Sequence, residues 1–110
     1  MIDHAQLDTL TQLLGKDAIN QIRLEYVQDS RQKMTLLLDA WKERNYQEVQ
    51  NVSHSLKSSS LNMAMLVFAK QCQLIETFAS QHNEQEIQAI IDDLFALHKI
   101  SLKALAAYFS

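Results

Sequence analysis

Apolar residues recur three and four positions apart along almost the whole of this chain, the spacing of one face of an α-helix. The first such stretch is short, holds Asp8, Leu13 and Leu14, and runs into Gly15, the sole glycine. The pattern predicts that Gly15 closes a first helix in the left-handed conformation. From Lys16 the stripe Ile19, Ile22, Tyr26, Ser30, Met34, Leu37 and Trp41, widened by Val27 and Leu38, continues to about Arg44. At about 1.5 Å per residue this is roughly 40 Å of helix. A bend is expected near Asp29-Ser30, where polar residues interrupt the apolar face, and Asn45 is the expected left-handed stop.

The next helix spans about Tyr46 to Ser60 and turns Val49, Val52, Leu56 and either Ser59 or Ser60 inward. A break at Leu61 to Met63 follows, with Asn62 placed to cap a helix from about Ala64 to Ser80. That helix carries Met65, Phe68 or Ala69, Cys72, Ile75 and Ala79 on its buried face. Gln81-His82-Asn83 is a polar connector, and Asn83 with Glu86 resembles a capping box. The last helix shows Ile87, Ile90, Ile91, Leu94, Leu97, Leu102, Leu105 and Phe109. Four amphipathic helices on short connectors predict an all-α, antiparallel four-helix bundle with a short extra N-terminal helix. The apolar faces are broader than two positions per heptad, which sets a two-stranded coiled coil aside.

Composition narrows the picture. Proline is absent, so the punctuation a sheet protein of this size needs is missing. With 110 residues a single domain over 1–110 is expected. Lys and Arg number 10 against 13 Asp and Glu, a formal charge of -3, and no basic cluster stands out along the chain. A nucleic-acid partner is therefore not expected. Cys72 is the single cysteine, which leaves no disulfide framework or thiolate cluster and fits a reducing, cytoplasmic setting. Met1-Ile2-Asp3-His4 does not read as a signal peptide. The longest apolar run, Met63 to Ala69, is far short of the roughly 20 residues that would span a membrane.

Candidate chemistry lies on the helix from Tyr46 to Ser60. At about 100° per residue, His54 stands about 160° from Val52 and Leu56, so it faces away from the core; Lys57 is about 60° and Ser58 about 40° around from it. A neutral imidazole nitrogen is a competent nucleophile, and a phosphoryl group placed on it adds close to two negative charges. Lys57 would offset part of that charge. A solvated histidine beside a lysine is also ordinary on helix surfaces, and spacing alone leaves both readings open. Metal binding at His54 has little support, because no second His, Asp or Glu lies three or four residues away. There is no Gly-rich nucleotide loop.

The stretch Ser53-His54-Ser55-Leu56-Lys57-Ser58-Ser59-Ser60, followed by Leu66, Cys72 and Leu74-Ile75-Glu76, resembles the signature of the histidine phosphotransfer domains of multistep two-component signalling. The resemblance implies that His54 accepts the phosphoryl group, that Lys57 stabilises it, and that Ser59 and Ser60 form the small pair that follows. It also implies that Glu76 orients the imidazole. Docking is expected on exposed apolar and small residues around the histidine, Ser58 and Leu61 on the same helix face and Leu13 of the first helix covering the adjacent end of the bundle. The implied reaction is reversible transfer between His54 and an aspartate of a receiver domain, on a hybrid sensor kinase or a response regulator. Magnesium would sit in the receiver, and the chain itself would need no cofactor or metal. It would be a monomeric phosphocarrier, not an enzyme.

Two positions depart from the family pattern. Ser58 stands where the family usually has glycine, which motivates the alternative of a non-phosphorylated bundle acting as an interaction module on a receiver or sensor kinase. Ala64 stands in place of a second glycine, a change expected to cost little in a helix. No role is assigned to His4, to His82 in a connector, or to His98 on a helix flank.

Overall fold

The computed structural model describes all of residues 1–110. Its helices are α1 (His4–Leu14), α2 (Lys16–Lys42), α3 (Tyr46–Asn62), α4 (Leu66–Ser80) and α5 (Glu84–Phe109). There is no sheet; one isolated antiparallel bridge joins Ile2 to Met65. Side-chain pairs fix the directions. Tyr26 meets Ser60, His54 meets Glu76, Phe68 meets His98, and Trp41 meets Gln88. Each of α2 to α5 therefore runs antiparallel to its sequence neighbour, and α5 returns beside α2 to close the ring. The expected bundle with a short N-terminal helix is the fold, and its 42 Å long axis matches the length of α2.

The core follows the predicted stripes with informative exceptions. α2 runs unbroken through Asp29-Ser30. Ser30 is fully buried while Asp29 stays outside in an ion pair with Lys33 at 2.8 Å. Ile22, expected inside, is 45% exposed. In α5 the buried series is Ile87, Ile91, Leu94, His98, Ser101, Leu102 and Leu105. His98 is thus no flank residue: steps of four, three, four, three and four from Ile87 to Leu105 carry the inner face through His98 and Ser101. Their polarity hid a regular period. His98 Nε2 is hydrogen-bonded to Ser30 Oγ at 2.9 Å, and its ring lies 4.9 Å from that of Phe68.

The three connectors between the long helices share one design. At the end of α2, Arg44 N–H donates to Trp41 O and Asn45 N–H to Ala40 O. Ala64 and Met65 repeat this on Leu61 and Ser60, and His82 and Asn83 repeat it on Ala79 and Phe78. These are Schellman closures, which need a left-handed residue just past the helix. Arg44, Ala64 and His82 fill that place with φ of 55°, 63° and 53°. The expected stop at Asn45 is therefore one residue late: Asn45 begins α3 as its N-cap, its Oδ1 accepting from Glu48 N–H. Asn83 does the same for α5 through Glu86 N–H, which supplies one half of the predicted capping box.

Asn62 caps nothing, because α3 extends to include it, and α4 starts behind Met65 without a side-chain cap. Ala64 is not helical at all. Its left-handed backbone is where glycine is at ease and alanine is strained by roughly 1–2 kcal/mol, so the expected low cost of losing glycine there is overturned. Gly15 has positive φ as expected, but with φ 86° and ψ 148° it lies in a glycine-only region outside the left-handed helical well.

The chain before α2 straps the α3–α4 turn. Asp3 N–H donates to Ala64 O and Leu66 N–H to Met1 O. Gln6 Nε2 donates to Leu61 O at 2.9 Å, and Leu7 is fully buried. Asp3 also caps α1 by accepting from Gln6 N–H. The other end of α1 is tied to α5, where Tyr108 Oη donates to Asp8 at 2.6 Å.

Candidate functional site

The inward residues of α3 set the direction of His54. Val52, Ser53 and Leu56 are buried, and Ser53 Oγ spends its proton on Val49 O at 2.7 Å. His54, between them, has a side chain 58% exposed. The tight turn at Met63–Met65 folds α4 back along α3, and this register brings residue 76 level with residue 54. Glu76 Oε2 lies 2.8 Å from His54 Nδ1, and its other oxygen accepts from Lys57 Nζ at 2.9 Å. One carboxylate thus bridges an imidazole and an ammonium, with 21% of the Glu76 side chain open to solvent.

The electrostatics of this bridge choose a tautomer. Partial burial by itself would raise the Glu76 carboxyl, but the hydrogen bonds from Lys57 and His54, with the charge of Lys57, outweigh it. The group is held below its ordinary value. An ionised carboxylate only accepts hydrogen bonds, so Nδ1 carries the ring proton. When the ring is neutral, Nε2 is the nitrogen left with a lone pair, the form a nucleophile needs. Lys57 is placed differently from the simple sequence picture. Its ammonium is engaged with Glu76, so the cation is already paired in the resting site.

The remaining predicted residues fall into two groups. Ser58 and Leu61 are exposed on α3, one and two turns beyond His54, and Leu61 is 44% exposed. Ile22 of α2 and Leu66 of α4 add exposed apolar surface near that end of the bundle. Ser59 and Ser60 separate in function. Ser59 Oγ bonds back to Ser55 O, whereas Ser60 is fully buried and shares a 2.6 Å hydrogen bond with Tyr26 Oη. Leu13 is exposed at the Tyr108 end of α1, about two turns from the Gln6 contact with Leu61, and is not brought into the His54 group. Cys72 is fully buried, and burial pushes its thiol up to about 12, so it is inert packing.

Sequence reasoning missed the buried polar pairs Tyr26–Ser60 and Ser30–His98, which line the centre of the bundle behind the site. The signal was available in the period, which places all four on inner faces. Burial lowers His98 to about 4, with the nearby Arg31 charge acting in the same sense, so the ring is neutral.

No curated protein sequence matches the chain. The fold is similar to that of histidine-containing phosphotransfer protein B (HptB) from Pseudomonas aeruginosa PAO1. The TM-score is 0.90 at 22% identity, over 98% of this chain and 93% of that one. A family model, the Hpt domain, matches residues 21–107, a span that takes in α3, α4 and nearly all of α2 and α5. With most of its length inside that match, the chain belongs to the Hpt domain family, the histidine phosphotransfer proteins of two-component relays.

Proposed function

We propose that His54 Nε2 is the atom that carries the phosphoryl group, with Glu76 orienting the ring and Lys57 moderating charge. The observation that carries this reading is the carboxylate bridge from His54 Nδ1 to Lys57 Nζ, with Nε2 left outside that bridge. Hpt domains exchange phosphoryl groups with receiver domains and do not act as autonomous kinases. In the transfer, the Nε2 lone pair attacks the phosphorus of a receiver aspartyl phosphate in line, and the bond from phosphorus to the aspartate oxygen breaks. The carboxylate leaves on the receiver. The ring then carries positive charge, which its Nδ1–H shares with Glu76. We assign Lys57, held beside the site by that same carboxylate, the task of offsetting part of the charge of the incoming phosphoryl group. Magnesium belongs to the acidic site of the receiver.

The partner receiver is proposed to be part of a hybrid sensor kinase or a response regulator, docking across Ser58 and Leu61 on the exposed face of α3. Leu13 is kept as a peripheral docking residue because it is the most exposed large apolar side chain. Residues 1–110 are proposed to form one domain that works as a monomer in the cytoplasm; its helices pack on one core, which supports the monomer. No helix is long and apolar enough to cross a membrane.

The experiment is transfer from a panel of phosphorylated receiver domains. Acid-labile label should reach this chain from at least one receiver, and His54→Gln should abolish it with helicity intact. Label persisting in His54→Gln would refute His54 as the acceptor. No label from any receiver, with tight receiver binding instead, would favour an interaction module in which the exposed Ser58 hydroxyl obstructs attack.

A further inference from the structure

The ring of helices has one loosely packed seam. Of the neighbouring pairs in the ring of α2 to α5, α3 and α4 are the most closely packed and α2 and α5 the least. Along the α2–α5 seam lies a groove of about 630 Å³. Its apolar floor includes Val27 and Leu102, and Phe95 stands in it 44% exposed. His98 completes the floor, buried and neutral, so the floor carries no charge of its own.

The walls are cationic. Arg23 and Arg31 rise from α2, Lys99 and Lys103 from α5, and no Asp or Glu lines the groove. None of the four is in an ion pair. A chain with a net charge of -3 thus concentrates four of its ten basic residues on one groove. The expectation of no basic cluster is corrected here. The cations are split between two helices 68 to 80 positions apart in sequence, so only the antiparallel return of α5 assembles them.

The distribution of charge selects the ligand. A single head group is best held by cations gathered at one end. Here Arg23 and Arg31 are about 12 Å apart along α2, and Lys99 and Lys103 about 6 Å apart along α5. Two cationic edges flanking an apolar trough match a helix with a stripe of Leu or Ile and acidic residues on both sides of it, the helix-in-groove mode of recognition. We propose that the α2–α5 groove is a second docking site, which takes an acidic amphipathic helix from a partner protein. The α3–α4 seam that holds His54 and Glu76 is on the opposite side of the ring. A receiver at His54 and a helix in the groove can therefore be bound together.

The test uses a fluorescein-labelled peptide of about four turns, roughly 14 residues, with a Leu stripe flanked by Glu. Its anisotropy is titrated with the full chain, and amide shifts are followed by NMR. Binding in the micromolar range is expected, weakening as salt screens the walls. Shifts should fall on α2 and α5 and spare His54 and Glu76. Lys99→Glu combined with Lys103→Glu should weaken the peptide about tenfold or more, a change of about 1.4 kcal/mol. Phe95→Ser, which leaves the charges in place, should also weaken it. Both variants alter exposed side chains, and both should keep their helicity and still accept label on His54.

The proposal is overturned by no binding up to about 1 mM peptide, a Kd that leaves only about 4 kcal/mol. It is equally overturned if the same peptide with Lys in place of Glu binds as well, or if the shifts map to α3 and α4. Vesicles of phosphatidylglycerol that displace the peptide would reassign the groove to a lipid surface. A concentration-dependent dimer abolished by the Lys99/Lys103 variant would reassign it to a second copy of this chain.

Discussion

Glu76→Gln tests the core of the site with little change of shape. The wild-type carboxylate accepts one hydrogen bond from His54 Nδ1–H at 2.8 Å and one from Lys57 Nζ at 2.9 Å. A hydrogen bond to a charged acceptor is worth about 1.5–3 kcal/mol and a neutral one about 0.5–1.5, so neutralising the acceptor removes about 1 kcal/mol at His54. Partial solvent access keeps this at the lower end in the resting protein. During transfer the ring turns cationic, and the lost attraction grows. Transfer from a phosphorylated receiver should therefore slow about tenfold, the equivalent of about 1.4 kcal/mol in the barrier. The assay is single-turnover transfer of radiolabel at saturating receiver, which separates chemistry from docking. Lys57→Met should slow transfer as well, and the double variant should lose less than the product of the two, because both act through one carboxylate. The sign of the pH effect follows from the depressed Glu76 carboxyl. Its contribution to stability is complete above the unfolded value of 4.5 and is lost as pH falls through the lower folded value, so wild-type and Glu76→Gln melts should converge in acid. A Glu76→Gln protein that transfers within twofold of wild type, with unchanged helicity, would refute the orienting role (twofold being about 0.4 kcal/mol).

His98 moves from 6.5 to about 4 on folding, so between those values the unfolded chain binds a proton that the native one refuses. Stability should be complete above 6.5 and fall as pH drops toward 4, by about 2–3 kcal/mol at about 1.4 kcal/mol per unit. Urea titrations at several pH values should show this slope in the wild type and not in His98→Gln; equal slopes would refute the burial argument. Ala64→Gly should change stability by less than about 1 kcal/mol, since relief of left-handed strain is offset by the added entropy of the unfolded chain and the loss of a buried methyl. A loss of about 1 kcal/mol in thermal unfolding, the cost of glycine in an ordinary helix, would contradict it. Tyr26→Phe strands the buried Ser60 hydroxyl and should cost about 1–2 kcal/mol in denaturant unfolding. Adding Ser60→Ala to it should recover part of that loss, and strict additivity would argue against the 2.6 Å pair.

The sequence by itself determined the helices, their order and the outward direction of His54, because each depends on a local period of about 3.6 residues. Local rules also placed Asn83 as a cap and gave Gly15 its positive φ. They failed where two local signals compete. Asn45 suits both a left-handed stop and an N-cap, and the chain uses it as the cap while Arg44 takes the strain. Ala64 reads as helical by propensity, yet the tight return of α4 along α3 forces it out of the helix. His98 reads as a helix flank by polarity, and Ser30 on another helix decides otherwise by hydrogen-bonding its ring.

What only the tertiary structure decided is which side chains meet. The α3–α4 register sets Glu76 beside His54, and it shows one carboxylate serving both the imidazole and Lys57, which no spacing within α3 contains. The return of α5 beside α2 gathers Arg23, Arg31, Lys99 and Lys103 from distant segments into one cationic groove. A helical period tells a residue which way to face; only the packing of whole helices tells it whom it faces.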